Sequence, residues 1–91
     1  MSLALPGGTL GLFGGGQLGR MTAMAARPLG VRTLVLDPDA ACAAAGVADG
    51  VLVAPFEDAT MARELGLRAD VVSVELERIP VPSLAAAPAE A

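Results

Sequence analysis

Thr9-Leu10-Gly11-Leu12-Phe13-Gly14-Gly15-Gly16-Gln17-Leu18-Gly19-Arg20-Met21 decides the fold. A β-type run from Thr9 to Phe13 is stopped by three consecutive glycines. From Gln17 the spacing changes, and Leu18, Met21, Met24 or Ala25, and Leu29 recur at roughly helical intervals. The six residues from Gly14 to Gly19 satisfy the pattern G-x-G-x-x-G, here between a strand and a helix, the context that gives the pattern weight. Gly14 permits the sharp turn out of the strand. Gly16 has no Cβ to block an anion approaching the backbone, and Gly19 lets the helix lie close on the sheet.

Outward from this loop, strands and helices alternate. Pro28 biases Arg27 away from the α region, so the helix should end near Ala26, with Gly30 supplying a left-handed exit. Residues 31–36, VRTLVL, read as a strand covered on both faces. Asp37-Pro38-Asp39 is a turn, and residues 40–45 read as a short helix with Asp39 at its N-cap. A third strand is expected at residues 51–54. A helix over residues 59–67 follows, capped by Asp58, with Met61 and Leu65 on its buried face. The fourth strand is expected at residues 71–74. Alternation of this kind implies right-handed crossovers and an open parallel sheet, most simply ordered 3-2-1-4. In that order the chain reverses direction across the sheet between the first and fourth strands. Ligands bind in the crevice such a switch point leaves at the strands' carboxyl ends.

Three sets of residues are candidates for a site, and the loop after Phe13 and the segment from Glu75 both open into that crevice. The first helical N–H groups lack intrahelical acceptors and lie at the positive end of the helix dipole. The loop amides from Gly15 through Gly16 and Gln17 to Leu18 are therefore candidate phosphate ligands. Asp37 ends the second strand about 20 residues past the loop, where dinucleotide folds keep a carboxylate for a ribose hydroxyl. It serves equally well as a turn residue beside Asp39. Glu75 directly follows the fourth strand and could accept hydrogen bonds from sugar hydroxyls or an amine, whereas Glu77 beside Arg78 reads as ordinary surface charge. Cys42 reads as a small hydrophobe.

Composition narrows the functions. The chain has 91 residues, 54% of them apolar, enough for one small domain that buries about three-fifths of its unfolded surface. Net charge is −4, the six cations are scattered arginines, and only two residues are aromatic. That excludes a basic stripe or stacking platform for nucleic acid. There is no histidine for a Ser-His-Asp relay, and one cysteine makes neither an internal disulfide nor a cysteine metal cluster. No basic segment precedes the apolar N-terminus, and no run is long enough to span a bilayer. A cytoplasmic domain with no membrane partner is the expectation.

Residues 14–30, GGGQLGRMTAMAARPLG, together with Leu36-Asp37-Pro38-Asp39, Val47-Ala48-Asp49 and Glu75-Leu76-Glu77-Arg78-Ile79-Pro80, closely resemble one family. It is the 5-(carboxyamino)imidazole ribonucleotide synthetases of the ATP-grasp superfamily, also called phosphoribosylaminoimidazole carboxylase ATPase subunits. The resemblance runs from about residue 10 to residue 80. It implies a Rossmann-like pre-ATP-grasp domain over residues 1–80, followed by an Ala/Pro-rich tail over residues 81–91. It also implies an ATP- and bicarbonate-dependent carboxylating ligase of de novo purine synthesis, historically classed with carboxylases and lyases. In such enzymes the glycine loop holds the phosphate of the ribonucleotide, which here assigns Gln17 and Leu18 to the phosphate and Glu75 to the substrate. ATP and magnesium belong to an ATP-grasp domain downstream, so this chain, truncated before it, is expected to be inactive alone. A homodimer is an allowed assembly. Two other readings stand beside this one: an NAD- or FAD-binding module of an oxidoreductase, and a non-catalytic fragment that self-associates through its sheet edge.

Overall fold

A computed structural model describes residues 7–74 of the chain. It contains four strands, β1 (Thr9–Phe13), β2 (Arg32–Asp37), β3 (Gly50–Val53) and β4 (Val71–Val74), and two α-helices, α1 (Gln17–Ala26) and α2 (Ala59–Arg68). The strands form one sheet in the order β3-β2-β1-β4, and every pairing is parallel. The expected architecture and order are both present, with β2 and β3 displaced by one residue from their expected bounds.

Each face of the sheet carries its own apolar cluster, as strict alternation along the strands requires. Phe13, Leu36 and Val72 meet Ala62 and Leu65 of α2 on one side. Leu12 and Val35 meet Ala44 on the other, with Leu10, Cys42 and Ala48 packed around them. Two aspartates fasten the outer strands to the inner ones at their start. The Asp70 carboxylate accepts the Thr9 N–H at 2.7 Å while its own N–H donates to the Thr9 carbonyl at 2.8 Å. Asp49 makes the same two-way pair with Thr33, at 2.8 and 3.0 Å. Asp58 caps α2 as expected, its Oδ1 accepting the Met61 N–H at 3.0 Å, a contribution of about 1 kcal/mol.

Two local expectations are corrected, and α1 buries a face other than the one its apolar spacing marks. The large apolar side chains of α1 do not face the sheet: Leu18, Met21, Met24 and the following Leu29 are all exposed, and the buried face is Gly19, Ala23 and Ala26. The cause is the closeness of α1 to the loop. A Cβ on Gly19 would lie 2.6 Å from the Gly14 carbonyl oxygen, so the contacting face must be built from small residues. α1 does end at Ala26, but Arg27 keeps α geometry (φ −57°, ψ −49°) and the chain tightens into a 3-10 turn, Arg27–Leu29. The left-handed exit is Gly30, at φ +75°. Finally, the short helix expected at residues 40–45 is a 3-10 turn at Ala43–Gly46. Asp39 does not cap it; its Oδ1 accepts the Ala41 N–H at 2.8 Å in a local turn.

Candidate functional site

The glycine loop divides into a fastened half and an open half. Gly14 leaves β1 at φ +102°, a conformation side chains rarely adopt, and donates its N–H to the Leu36 carbonyl at 2.9 Å. Gly15 is held on three sides. Its N–H donates to Asp37 Oδ2 at 2.9 Å, its carbonyl accepts the Ala44 N–H at 2.8 Å, and Cys42 packs against its α-carbon. A Cβ there would fall well inside contact distance of the Cys42 sulfur and 3.0 Å from Val35 Cγ1.

Gly16 is the opposite case. Among the described residues nothing lies within 4 Å of where its Cβ would be. It is the N-cap of α1, with no side chain capping the helix and no acidic residue in the first turn. The first helical hydrogen bond into the loop is from the Arg20 N–H to the Gly16 carbonyl, at 2.9 Å. The N–H groups of Gly16, Gln17, Leu18 and Gly19 therefore have no acceptor among the described residues. Gln17 and Leu18 are exposed, and Gly19 is buried under Gly14.

Asp37 stands behind this loop rather than in front of it. It is 8% exposed at the end of β2, with one oxygen on Gly15 and the other accepting the Asp39 N–H at 2.9 Å. Both carboxylate oxygens thus brace backbone of its own chain, the turn role that the sequence left open beside ribose binding. Cys42 is half-buried and precedes the 3-10 turn. β4 ends with Val74 opposite Phe13, the residue before the loop. Glu75 and Glu77 come next in the chain and lie outside the described residues.

A second depression, a groove of about 300 Å³, lies at the other end of the strands beside Thr9, Arg32, Thr33, Asp49, Gly50 and Arg68. Its charged groups serve the fold. Arg32 donates to the Gly7 carbonyl, Arg68 pairs with Glu64, and Asp49 holds the Thr33 amide. Among the described residues no three His, Cys, Asp or Glu side chains come together as a metal site, and no helix is long and apolar enough to cross a membrane.

Comparison with known proteins finds the same fold in one family. The N5-carboxyaminoimidazole ribonucleotide synthase of Brucella melitensis is 49% identical over 76 residues, which is 84% of this chain and 21% of that protein. A crystal structure of an ADP complex of N5-carboxyaminoimidazole ribonucleotide synthetase superposes with a TM-score of 0.87 at 43% identity, over 91% of this chain and 22% of the other. The ADP complex of the Staphylococcus aureus synthetase gives 0.84 at 38% identity, over 90% and 22%. The chain spans about a fifth of the length of the curated relatives it matches. The ribonucleotide synthetase preATP-grasp domain family matches residues 8–90, through the glycine loop and all four strands, and the chain belongs to that family, within the ATP-grasp superfamily.

Proposed function

We propose that this domain holds the phosphate of aminoimidazole ribonucleotide for an ATP- and bicarbonate-dependent carboxylating ligase of purine synthesis. The observation that carries the proposal is the start of α1, where the N–H groups of Gly16, Gln17 and Leu18 have no acceptor among the described residues, which also leave open space beside the Gly16 α-carbon. An anion there meets both the hydrogen-bond donors and the positive end of the helix dipole. Of the four loop amides expected to act together, Gly15 serves the site by packing, since Asp37 takes its N–H.

The domain's chemical contribution is placement. Held by its phosphate, the ribonucleotide presents its exocyclic amine at a fixed position, and fixing one reactant lowers the entropic part of the barrier. We assign Glu75, the residue after Val74 in the chain, to hydrogen bonds from the sugar or the amine. We assign ATP, magnesium and bicarbonate activation to protein outside this chain, residues 1–80 to the substrate domain and residues 81–91 to a tail. The 91-residue chain by itself is then inactive. The cytoplasm is the compartment this chemistry implies.

The test is a paired substitution in the carboxylating enzyme that carries this domain. Glu75→Gln is expected to lower catalytic efficiency for the ribonucleotide roughly tenfold to a hundredfold, the worth of one charge-assisted hydrogen bond, with ATP affinity unchanged. Glu77→Gln removes the same charge from the same segment and is expected to do much less. Equal small effects would return Glu75 to a surface role, and a larger effect at Glu77 would reverse the assignment.

A further inference from the structure

Asp37 is a buried carboxylate with no cation beside it among the described residues, where the one ion pair is Arg68 with Glu64. Burying a charge is costly, and here it is offset by two backbone hydrogen bonds alone. It also lies directly behind a loop we read as an anion site, where a negative charge opposes the ligand. A group so placed needs a compensating use, and the peptide planes of the loop supply one.

In a trans peptide the carbonyl and the N–H point in opposite directions. The Gly14–Gly15 peptide has its N–H aimed at Asp37, which sends the Gly14 carbonyl the other way, over the α-carbon of Gly19. The Gly15–Gly16 peptide has its carbonyl aimed at the N–H of fully buried Ala44, which sends the Gly16 N–H away from the core. Asp37 bridges Gly15 to Asp39, and so ties the loop after β1 to the loop after β2.

We propose that Asp37 is the positioning residue of the loop: it locks the Gly14–Gly15 peptide so that a phosphate monoester meets Gly16, Gln17 and Leu18 while Gly15 is withheld. This role rests on the phosphate-site reading of the loop.

Charge and positioning predict opposite signs. With its negative charge gone, Asp37→Asn should bind phosphate more tightly if the charge were all that mattered. As a positioning residue it should bind more weakly, because the asparagine amide can accept from only one of the two N–H groups and opposes the other. In the 91-residue chain we expect amide-detected titration with ribose 5-phosphate to show roughly threefold to tenfold weaker binding for Asp37→Asn, the range of one lost hydrogen bond. Loss of slow exchange at the Gly15 N–H should accompany it, with the Leu12 and Leu36 amides still protected. Affinity unchanged or tightened in a folded Asp37→Asn chain overturns the proposal. A second measurement needs no variant: ribose 5-phosphate should shift Gly16 and leave Gly15 nearly still in the wild-type chain, and equal shifts overturn the lock. If Gly16→Val binds ribose 5-phosphate as well as the wild type, the phosphate-site reading itself fails, whatever Asp37 does.

Discussion

Leu65→Ala is expected to remove about 2–5 kcal/mol of stability, toward the upper end of that range. Leu65 is fully buried on α2 and packs with Phe13, Leu36, Ala62 and Val72. The cost depends on whether neighbours can collapse into the space. Below it on the sheet is Gly11, where a Cβ would sit 2.9 Å from Ala69 Cβ and 3.2 Å from Leu65 Cδ1, so Leu65 and Ala69 together fill the room a side chain there would occupy. Ala62 and Ala69 beside it are too short to reach in. A domain of this size has a total stability of only about 5–15 kcal/mol, so the variant should lie near the folding threshold. Urea unfolding followed by circular dichroism measures this. Leu65→Met, nearly volume-conserving, is expected to cost less than about 1.5 kcal/mol. Similar losses from both variants would mean that α2 does not rest on this cluster.

The second large effect is on binding. Gly16→Val should weaken a phosphate monoester by roughly tenfold to a hundredfold, since the branched side chain occupies the anion's place at one or more charge-assisted hydrogen bonds. The substitution is a clean probe because Gly16 has φ −72° and ψ −162°, which valine adopts freely, and its Cβ direction is empty. The fold should lose only about 1 kcal/mol, from a poorer helix cap. A variant that unfolds would show that Gly16 is packed after all, and one that binds normally would move the anion elsewhere.

Much of this was legible in the sequence because it is written in local chemistry. Glycines at positions 14, 16 and 19 have three separate physical reasons, a left-handed φ, an open face and a carbonyl 2.6 Å away, and each reason follows from the strand-turn-helix context. Asp58 announced the start of α2, and the continuous apolar character of β2 announced a strand covered on both faces. What was hidden depends on contacts distant in sequence. The outward face of α1 has a helical apolar period that imitates a buried stripe; Gly19 is legible as the close-approach residue, but that Ala23 and Ala26 continue its face into the core is seen only in the fold. The residues after Asp39 have helical composition, but the Ala44 N–H is drawn 2.8 Å from the Gly15 carbonyl, which tightens the segment into a 3-10 turn. Asp37 is 22 residues from the Gly15 N–H it accepts, and no local signal separates a ribose carboxylate from a loop brace.

On the function proposed above, the loop receives a phosphate monoester and not a dinucleotide. Amide mapping of the labelled 91-residue chain, with aminoimidazole ribonucleotide in one titration and NAD in another, tests it most directly. The ribonucleotide is expected to shift Gly16, Gln17 and Leu18 at lower concentration than NAD does, with weak affinity in both cases because the helix start contributes only about 0.3–2 kcal/mol of charge interaction. Tighter binding of NAD, or ribonucleotide shifts centred on the groove between Arg32 and Gly50 at the far end of the strands, would contradict it.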